Sequence, residues 1–317
     1  MANLSETSGG HSMPARQGRL VRFWRRNGAG YMFLLPWLIG FFGLTLGPAL
    51  ASLYLSFTNY DLLRPPQWTG LDNIKYALFN DVKLRHSLSV TFQYVIFGVP
   101  MRLAVALGLA MILDRSVRGV GFYRAAFYLP SLLGASVAIS VMWRQLFGAE
   151  GLINTLLFLA TGWQGPSWIS HPDYALWTLI ALNVWQFGSP MIIFLAGLRQ
   201  IPEDLYEAAS MDGASGWRQF RKITLPLLAP VIFFNLVLQT IEAFKAFTQA
   251  YIISGGQGWP ADSTLFYSLY LYIEAFANFR MGYASLLAWI LLLIIGAFTA
   301  LAFWTSKYWV YYEDESR

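Results

Sequence analysis

Six apolar runs, each long enough to cross a lipid bilayer, alternate with polar stretches along this chain. The hydrocarbon core of a bilayer is about 30 Å thick, and a helix needs roughly 20 residues to span it. The six runs cover residues 31–57, 88–113, 122–146, 174–198, 225–253 and 283–306. The pattern predicts an all-α membrane protein with six transmembrane helices.

The first run raises the alternative of a cleaved signal peptide. It follows five arginines, and Ala49-Leu50-Ala51 is typical of a cleavage site. The run is longer than the roughly 7–15 apolar residues of a signal sequence and contains Pro36 and Pro48, so a retained first span is favoured. The predicted organisation is a basic tail (1–30), a six-helix domain (31–306) and a second tail (307–317).

Composition agrees with a membrane protein and excludes several chemistries. Hydrophobic residues make up 56% of the chain and charged residues 12%, about half the share of a soluble protein. The chain has no cysteine, so it offers no thiolate or disulfide. His11, His86 and His171 lack a second ligand at helical spacing, so no metal site is expected. No Gly-Lys pair exists to form a phosphate loop, so this chain is not expected to hydrolyse ATP.

The basic residues are distributed unequally between the two sides of the predicted membrane. With the N-terminus in the cytoplasm, most of the 22 lysines and arginines fall in cytoplasmic segments, as the positive-inside rule requires. The cytoplasmic bases include Arg16, Arg115, Arg118, Arg199, Arg221, Lys222 and Arg317. Both termini are therefore predicted to be cytoplasmic. Because the net charge of +5 is sorted by side and not gathered in one patch, nucleic-acid binding is not expected.

The cytoplasmic segment between runs four and five, residues 199–226, carries an unusually regular pattern. Pro202 suits the first turn of a helix, which should continue to Met211. Gly213 can adopt positive φ, and Ser215 can cap a second helix. That helix would carry Trp217, Phe220 and Ile223 on one face. The segment is predicted to be a helix-turn-helix that docks another protein; an amphipathic helix on the lipid surface is the alternative.

Polar residues inside the apolar runs are candidates for a transport pathway, because a charge within the bilayer is costly unless it faces a cavity or a partner. The fifth run places Asn235, Gln239, Glu242 and Lys245 on one helical face. The other candidates are Asn183 and Gln186, near Pro190, which is expected to loosen the helix, together with Arg102 and Arg144. Hydrogen bonding between helices is the alternative role for each of them.

The segment between runs five and six, residues 254–282, is too long for a simple connection. It begins with Gly255 and Gly256, which suit an outward-facing gate or a contact with a binding protein. Its aromatic residues suit an interfacial belt or stacking on a sugar ring. These residues are Tyr267, Tyr270, Tyr272, Phe276 and Phe279.

The polar segment resembles a known signature. Glu207-Ala208-Ala209, Gly213, Ile223 and Leu225-Pro226 are similar in order and spacing to the EAA motif of the membrane subunits of bacterial ATP-binding-cassette importers. The resemblance to carbohydrate-type permeases extends over about 31–306 and includes "FYRAAFYLPSLLGASVAISVMWRQLF" and "IFLAGLRQIPEDLYEAASMDGAS". Departures at Phe247-Thr248 and at Ser254-Gly255-Gly256-Gln257 affect the expected solute more than the fold.

The resemblance implies a permease subunit that is not itself an enzyme. Glu207, Ala208, Ala209 and Asp212 would contact an ATP-binding subunit, Gly213 would form the bend, and Trp217 and Phe220 would fill the apolar part of the dock. The implied partners are two ATP-binding subunits that hold ATP and Mg, a second and non-identical permease chain, and a solute-binding protein. The complex would lie in the bacterial inner membrane.

The resemblance further implies import of a saccharide by alternating access. An excess of bases within the spans, Arg102, Arg144 and Lys245 against Glu242, would suit an anionic oligosaccharide. A phosphorylated polyol is the alternative solute. A channel or a membrane-embedded enzyme is the alternative class, but a channel needs no docking segment and an enzyme needs a polar catalytic cluster.

Overall fold

The structure is a computed structural model that describes residues 19–114, 119–134 and 136–310, with side chains from Gly30 onward. The predicted tail bases Arg16 and Arg317, and the loop bases Arg115 and Arg118, lie outside the described residues. The chain divides into two compact units, one up to Tyr54 and one from Leu55. Each unit is described by itself.

The first unit is one long apolar helix with a local irregularity. Helix α1 covers Arg19–Gly40, a π-helical stretch covers Phe41–Leu46, and α2 covers Gly47–Leu55. Residues Gly30–Leu55 are apolar enough to span a membrane, and the apolar window has no buried residue within the described structure. Phe33, for example, is 84% exposed. The first predicted span is therefore helical, and its apolar surface is available to lipid or to another chain.

The second unit opens with a small hairpin and a very long helix. Strands β1 (Thr58–Asn59) and β2 (Gln67–Trp68) pair antiparallel. Helix α3 (Asp72–Lys75) and a π-helical turn (Tyr76–Asn80) lead into α4, Val82–Asp114. Its 33 residues correspond to about 50 Å of helix. Helix α4 begins before the predicted residue 88 because the Asp81 carboxylate accepts the Leu84 N–H at 2.9 Å and caps the first turn.

The third and fourth predicted spans are bent pairs of helices and not single straight helices. Helices α5 (Val120–Leu133) and α6 (Val137–Leu146) meet at 96°. Helix α7 covers Leu152–Thr161. Helices α8 (Pro172–Trp185) and α9 (Gly188–Leu198) meet at 42°. Apolar periodicity alone could not locate these bends, because both halves of each pair are equally apolar.

The remaining chain forms short helices and two long ones. Among the described residues, four helices are long and apolar enough to cross a membrane, or up to six if each bent pair is one span. The six-span topology, with the helix-turn-helix between spans four and five, therefore stays a prediction. The helices that follow α9 are α10 (Glu203–Met211), α11 (Gly216–Gln219), α12 (Leu225–Leu227), α13 (Ala229–Phe244), α14 (Thr248–Ile253), α15 (Tyr267–Tyr272) and α16 (Met281–Ser306).

Helix α4 is the centre of the second unit. It packs against α8, α9, α13 and α15. Its small buried residues Ala106 and Ala110 let the neighbouring helices approach closely. The fully buried side chains around it include Leu179, Met191, Phe194, Phe244, Phe266 and Tyr267. The long helix therefore runs through one core that its neighbours in the second unit share.

Candidate functional site

Residues 203–227, which we call the coupling segment, form α10, a turn, and a second helical run made of α11, a π-helical stretch (Phe220–Thr224) and α12. Helix α10 starts at Glu203, one residue after the predicted start, with Pro202 as the residue before it. Gly213 has φ +75°, so the predicted left-handed turn is confirmed. Ser215 precedes α11 as predicted, but its side chain makes no capping hydrogen bond. Because Ser215 is exposed, water can satisfy the first N–H groups of α11.

Hydrogen bonds close the turn of the coupling segment and brace its two halves against each other. The Ala214 N–H donates to the Ala209 carbonyl at 2.9 Å. Gln219 Nε2 donates to Ser210 Oγ at 2.8 Å. The Tyr206 hydroxyl lies 2.9 Å from Thr224 Oγ1. The bend is therefore a fixed shape that a partner can recognise.

The outer surface of the coupling segment combines exposed apolar and acidic groups. Met211 is 89% exposed and Trp217 is 70% exposed. Glu207 and Asp212 are also exposed, and neither forms an ion pair with a described residue. The Trp217 ring packs at a tilt of 30° against the half-buried Phe220, with the ring centroids 5.4 Å apart. Ala208 is exposed and Ala209 half-buried, so the small residues leave the backbone of α10 accessible.

The coupling segment is joined to the long central helix beside an open groove. The groove has a volume of about 930 Å³ and lies between α10, α11 and the last turns of α4 and α9. Arg199, just after α9, pairs with Asp114 at the end of α4 at 3.6 Å. The lining includes Met111, Ile112, Leu198, Glu203, Tyr206 and Phe220. The pair Arg199–Asp114 thus joins α4 to the residues that lead into the coupling segment.

The predicted pathway residues Gln186 and Arg102 meet at the break between α8 and α9. Pro190 has no N–H, so the Gln186 carbonyl loses its partner one helical turn earlier. Arg102 Nη2 donates to that oxygen at 2.6 Å, and Ser131 Oγ of α5 donates to it at 2.7 Å. Ser131 also accepts the Ser189 N–H at 2.9 Å. The predicted loosening at Pro190 is therefore a bend that neighbouring side chains stabilise.

Asn183 lies one turn before the break, in the same polar cluster. Its Nδ2 donates to the Tyr94 hydroxyl at 2.9 Å, whereas its buried Oδ1 has no hydrogen-bond partner among the described residues. Gln249 of α14 reaches the cluster from the other side and donates to the Gly134 carbonyl at 3.4 Å. Groups from α4, α5, α8 and α14 thus converge at the centre of the unit. We call this set the central polar cluster.

The predicted polar face of the fifth span is not continuous. Helix α13 ends at Phe244, so Lys245 lies in its terminal turn and outside the helix. Asn235 is completely buried, and its Nδ2 donates to the Val231 carbonyl of its own helix. Gln239 is half-buried, while Glu242 and Lys245 are exposed and paired at 2.8 Å. Arg144 is exposed in the last turn of α6. A place for these residues in a pathway stays a prediction.

A second polar cluster, which sequence reasoning missed, lies at the start of α4. The buried Asp81 carboxylate accepts the Tyr270 hydroxyl at 2.6 Å and a short hydrogen bond from the Tyr283 hydroxyl. Arg280 pairs at 3.0 Å with Glu274, which is also buried. Burial raises the pKa of Tyr270, and the bond to Asp81 adds to the increase. We call these residues the Asp81 cluster.

The Asp81 cluster corrects the interpretation of the aromatic segment. Tyr267 and Tyr270 are buried, so for these two the belt and the sugar-stacking interpretations are both wrong. Tyr267 donates to the Leu287 carbonyl at 2.8 Å and therefore joins α15 to α16. The only signal in the sequence was a lone acid, Asp81, before an apolar run.

The predicted gate glycines lie in a compact loop next to this cluster. Gly255 and Gly256 have φ +67° and +85°, which favours glycine at both positions. The following Trp259 is 53% exposed. The loop contacts the start of α4 through His86 Nε2, which lies 3.1 Å from the Asp262 carbonyl. Contact with a binding protein stays a prediction. Among the described residues, no group of three or more metal-ligating side chains is placed to hold a metal ion.

Comparison with known proteins places this architecture in one family. Residues 87–308 match the binding-protein-dependent transport system inner membrane component family. The chain is 54% identical over 300 residues to the probable ABC transporter permease protein YesP of Bacillus subtilis (strain 168), covering 95% of this chain and 96% of that protein.

Two further relatives are named for different solutes. The probable starch degradation products transport system permease protein AmyD of Thermoanaerobacterium thermosulfurigenes is 30% identical, with 89% of this chain and 95% of that protein covered. The sn-glycerol-3-phosphate transport system permease protein UgpA of Agrobacterium fabrum (strain C58 / ATCC 33970) is 33% identical, with 86% and 92% covered.

A solved structure shares the fold. A chain of the bacterial alginate ABC transporter in complex with alginate pentasaccharide-bound periplasmic protein aligns with a TM-score of 0.75 over 91% of this chain and 97% of that chain. The sequence identity is 22%, so this likeness shows the fold alone.

Proposed function

The chain belongs to the family of binding-protein-dependent transport system inner membrane components, and we propose that it forms half of the membrane pathway of an ATP-driven saccharide importer. In this family of ABC transporter permeases the ATPase resides in other subunits, and the chain is a membrane component of a sugar import system. The solute is an oligosaccharide delivered by a solute-binding protein. The chain itself carries no cofactor, because ATP and Mg are bound by the partner subunits.

The coupling segment is the observation that carries this proposal. It presents exposed acidic and apolar groups, Glu207, Asp212 and Trp217, on a braced two-helix shape. A surface of this kind, with an aromatic anchor and a polar rim, is typical of a protein-protein contact. It faces the cytoplasm in the predicted topology, where an ATP-binding subunit can dock on it.

The connections of the coupling segment suggest how docking drives transport. Closure of two ATP-binding subunits would displace the segment, and the pair Arg199–Asp114 would pass the displacement to α4. The bond between Tyr206 and Thr224 keeps the segment rigid during that step. Two unlike permease chains would then alternate between inward-open and outward-open packings.

Purification of the complete transporter tests the docking step. The native chain and Glu207→Lys would be isolated from the native membrane in mild detergent, and the co-purifying proteins would be identified by mass spectrometry. The matched control is Glu150→Lys, an exposed glutamate outside the coupling segment. Reversing the charge at a dock costs several kcal/mol, so Glu207→Lys should lose the ATP-binding subunit at least tenfold and keep the second permease.

Two outcomes would contradict the proposal. Equal recovery of the ATP-binding subunit with both variants would remove Glu207 from the dock. Recovery of the folded native chain with no partner at all would favour a channel or a membrane-embedded enzyme.

A further inference from the structure

Arg102 places a charge in the membrane-spanning helix α4 that no described carboxylate neutralises. Its side chain is half-buried, and it forms no ion pair with a described residue. The carboxylate of Glu242 acts on it electrostatically, but that carboxylate is paired with Lys245 at 2.8 Å. A guanidinium at this depth is costly and requires a compensating partner.

The hydrogen bond from Arg102 to Gln186 does not explain why an arginine is needed. The Gln186 carbonyl, which Pro190 leaves without a helical partner, already accepts the Ser131 hydroxyl at 2.7 Å. That oxygen is therefore already hydrogen-bonded without the second, charged donor at 2.6 Å. Meanwhile Arg102 Nε is buried and has no hydrogen-bond partner among the described residues. The guanidinium therefore has more donor capacity and charge than the fold uses.

Neutral polar groups lie close to Arg102 in the central polar cluster. Tyr94, Gly98 and Arg102 follow each other at intervals of four residues and share one face of α4. Opposite this face lies Asn183, whose buried Oδ1 is unpaired among the described residues. A Cβ at Gly98 would lie 3.5 Å from that oxygen. Hydroxyl-binding groups and one uncompensated cation thus occupy the same cluster.

We infer that Arg102 is a specificity-determining residue that pairs with a carboxylate of an acidic saccharide as it passes the central polar cluster. A planar guanidinium can hold a carboxylate through two parallel hydrogen bonds. The amide of Asn183 would contact sugar hydroxyl groups. A neutral saccharide would leave the charge of Arg102 uncompensated, which makes the site selective. This inference rests on the proposed function and names the class of its solute.

Uptake by the complete transporter in liposomes tests the inference. The transporter, with its binding protein outside and ATP inside, would receive three solutes separately. These are a mixed pool of uronic-acid oligosaccharides, the same pool after chemical reduction of its carboxyl groups, and sn-glycerol-3-phosphate. Mass spectrometry of the liposome contents measures uptake. The reduced pool has the same sugar skeletons without the negative charge. Glycerol phosphate tests whether the transported anion is a phosphate and not a carboxylate.

The variants separate charge from folding. Arg102→Gln should lower uptake of the acidic oligosaccharides about tenfold or more, the typical effect of losing a charged hydrogen bond. Arg102→Lys should keep part of it. The chain has no cysteine, so in Arg102→Cys a thiol-directed aminoethyl reagent can restore the cation, and a sulfonatoethyl reagent supplies the opposite charge. Only the aminoethyl group should restore uptake. Arg64→Gln, an exposed site, is the control.

Five results would overturn the inference. Native uptake of only the reduced pool, or of only the glycerol phosphate, would show a different solute while the proposed function as an importer stands. Acidic uptake by Arg102→Gln at the native rate would remove Arg102 from selection. Loss of the second permease from purified Arg102→Gln would show that a carboxylate of that chain neutralises Arg102. Native uptake of none of the three solutes would contradict the proposed saccharide importer as well.

Discussion

The acidic groups at the two ends of α4 differ in exposure and in whether they have partners within the chain. At its end, beside Asp114, the coupling segment exposes Glu207, Asp212 and Trp217, and both carboxylates lack an ion pair within the described chain. At its start, the Asp81 carboxylate is 3% exposed and accepts three hydrogen bonds. In the proposed function the first end is completed by another protein, whereas the acid at the second end has its partners within this chain. Substitutions should therefore reduce association at one end and stability at the other.

The largest loss of stability is expected from Asp81→Leu. The substitution removes the cap of α4 and leaves two buried tyrosine hydroxyls, of Tyr270 and Tyr283, without their acceptor. The cap and the stranded hydroxyls together predict a loss of about 3–5 kcal/mol. Thermal unfolding of the complete transporter in detergent measures the change.

Two further variants calibrate this result. Asp81→Asn keeps an acceptor oxygen and should lose about half as much. Asp72→Leu removes an exposed carboxylate that lies 3.8 Å from Lys75, and should change stability by about 0.5 kcal/mol or less. If Asp72→Leu and Asp81→Leu lowered the stability equally, burial of the carboxylate would not explain the effect at Asp81.

An intermediate loss, with a characteristic pH dependence, is expected from Tyr270→Phe. Removing a donor from a buried carboxylate should cost about 1.5–3 kcal/mol. Burial raises the pKa of Tyr270 in the folded protein, so the stability it contributes is fully present below the unfolded pKa of about 10 and is lost as pH rises toward the folded pKa.

Melting temperatures of the native protein and Tyr270→Phe, measured from pH 7 to 11, check this prediction. The difference between them should be constant up to about pH 10 and then shrink. Tyr308→Phe, at an exposed tyrosine that is 71% accessible, should match the native protein throughout. A difference that widened above pH 10 would contradict the sign of the shift.

The smallest change in stability, but a specific loss of association, is expected from Gly213→Ala. Gly213 (φ +75°) and Gly162 (φ +72°) both have open space where a Cβ would be added. Alanine at either position should cost about 1 kcal/mol, because the left-handed conformation is strained for any other residue. Only Gly213→Ala should also reduce recovery of the ATP-binding subunit. Similar recovery of the ATP-binding subunit with both variants would show that no partner recognises the bend in the coupling segment.

The coupling segment was predictable because its determinants are local. Pro202, Gly213 and the spacing of apolar residues act within one or two turns, and the structure follows them closely. The same holds for the long apolar runs. Local rules did not predict the bend between α5 and α6, whereas Pro190 already indicated a weakness near the bend between α8 and α9. They also failed at Ser215, where solvent replaces the expected cap.

The Asp81 cluster could not be predicted because its partners are far apart in the sequence. Tyr270 and Tyr283 lie 189 and 202 residues after Asp81. The sequence does not distinguish these two residues from interfacial tyrosines. Only the packing of α4, α15 and α16 does. Similarly, the 3.6-residue period that grouped Asn235 with Lys245 could not show that α13 ends at Phe244.

The bend at Gln186 has a mechanical consequence. A break next to a proline is commonly a flexible hinge, but here Ser131 holds both sides of it, and a Cβ at Gly188 would meet the Phe127 carbonyl at 2.6 Å. The bend is therefore a rigid elbow, and α5, α8 and α9 should rotate as one lever.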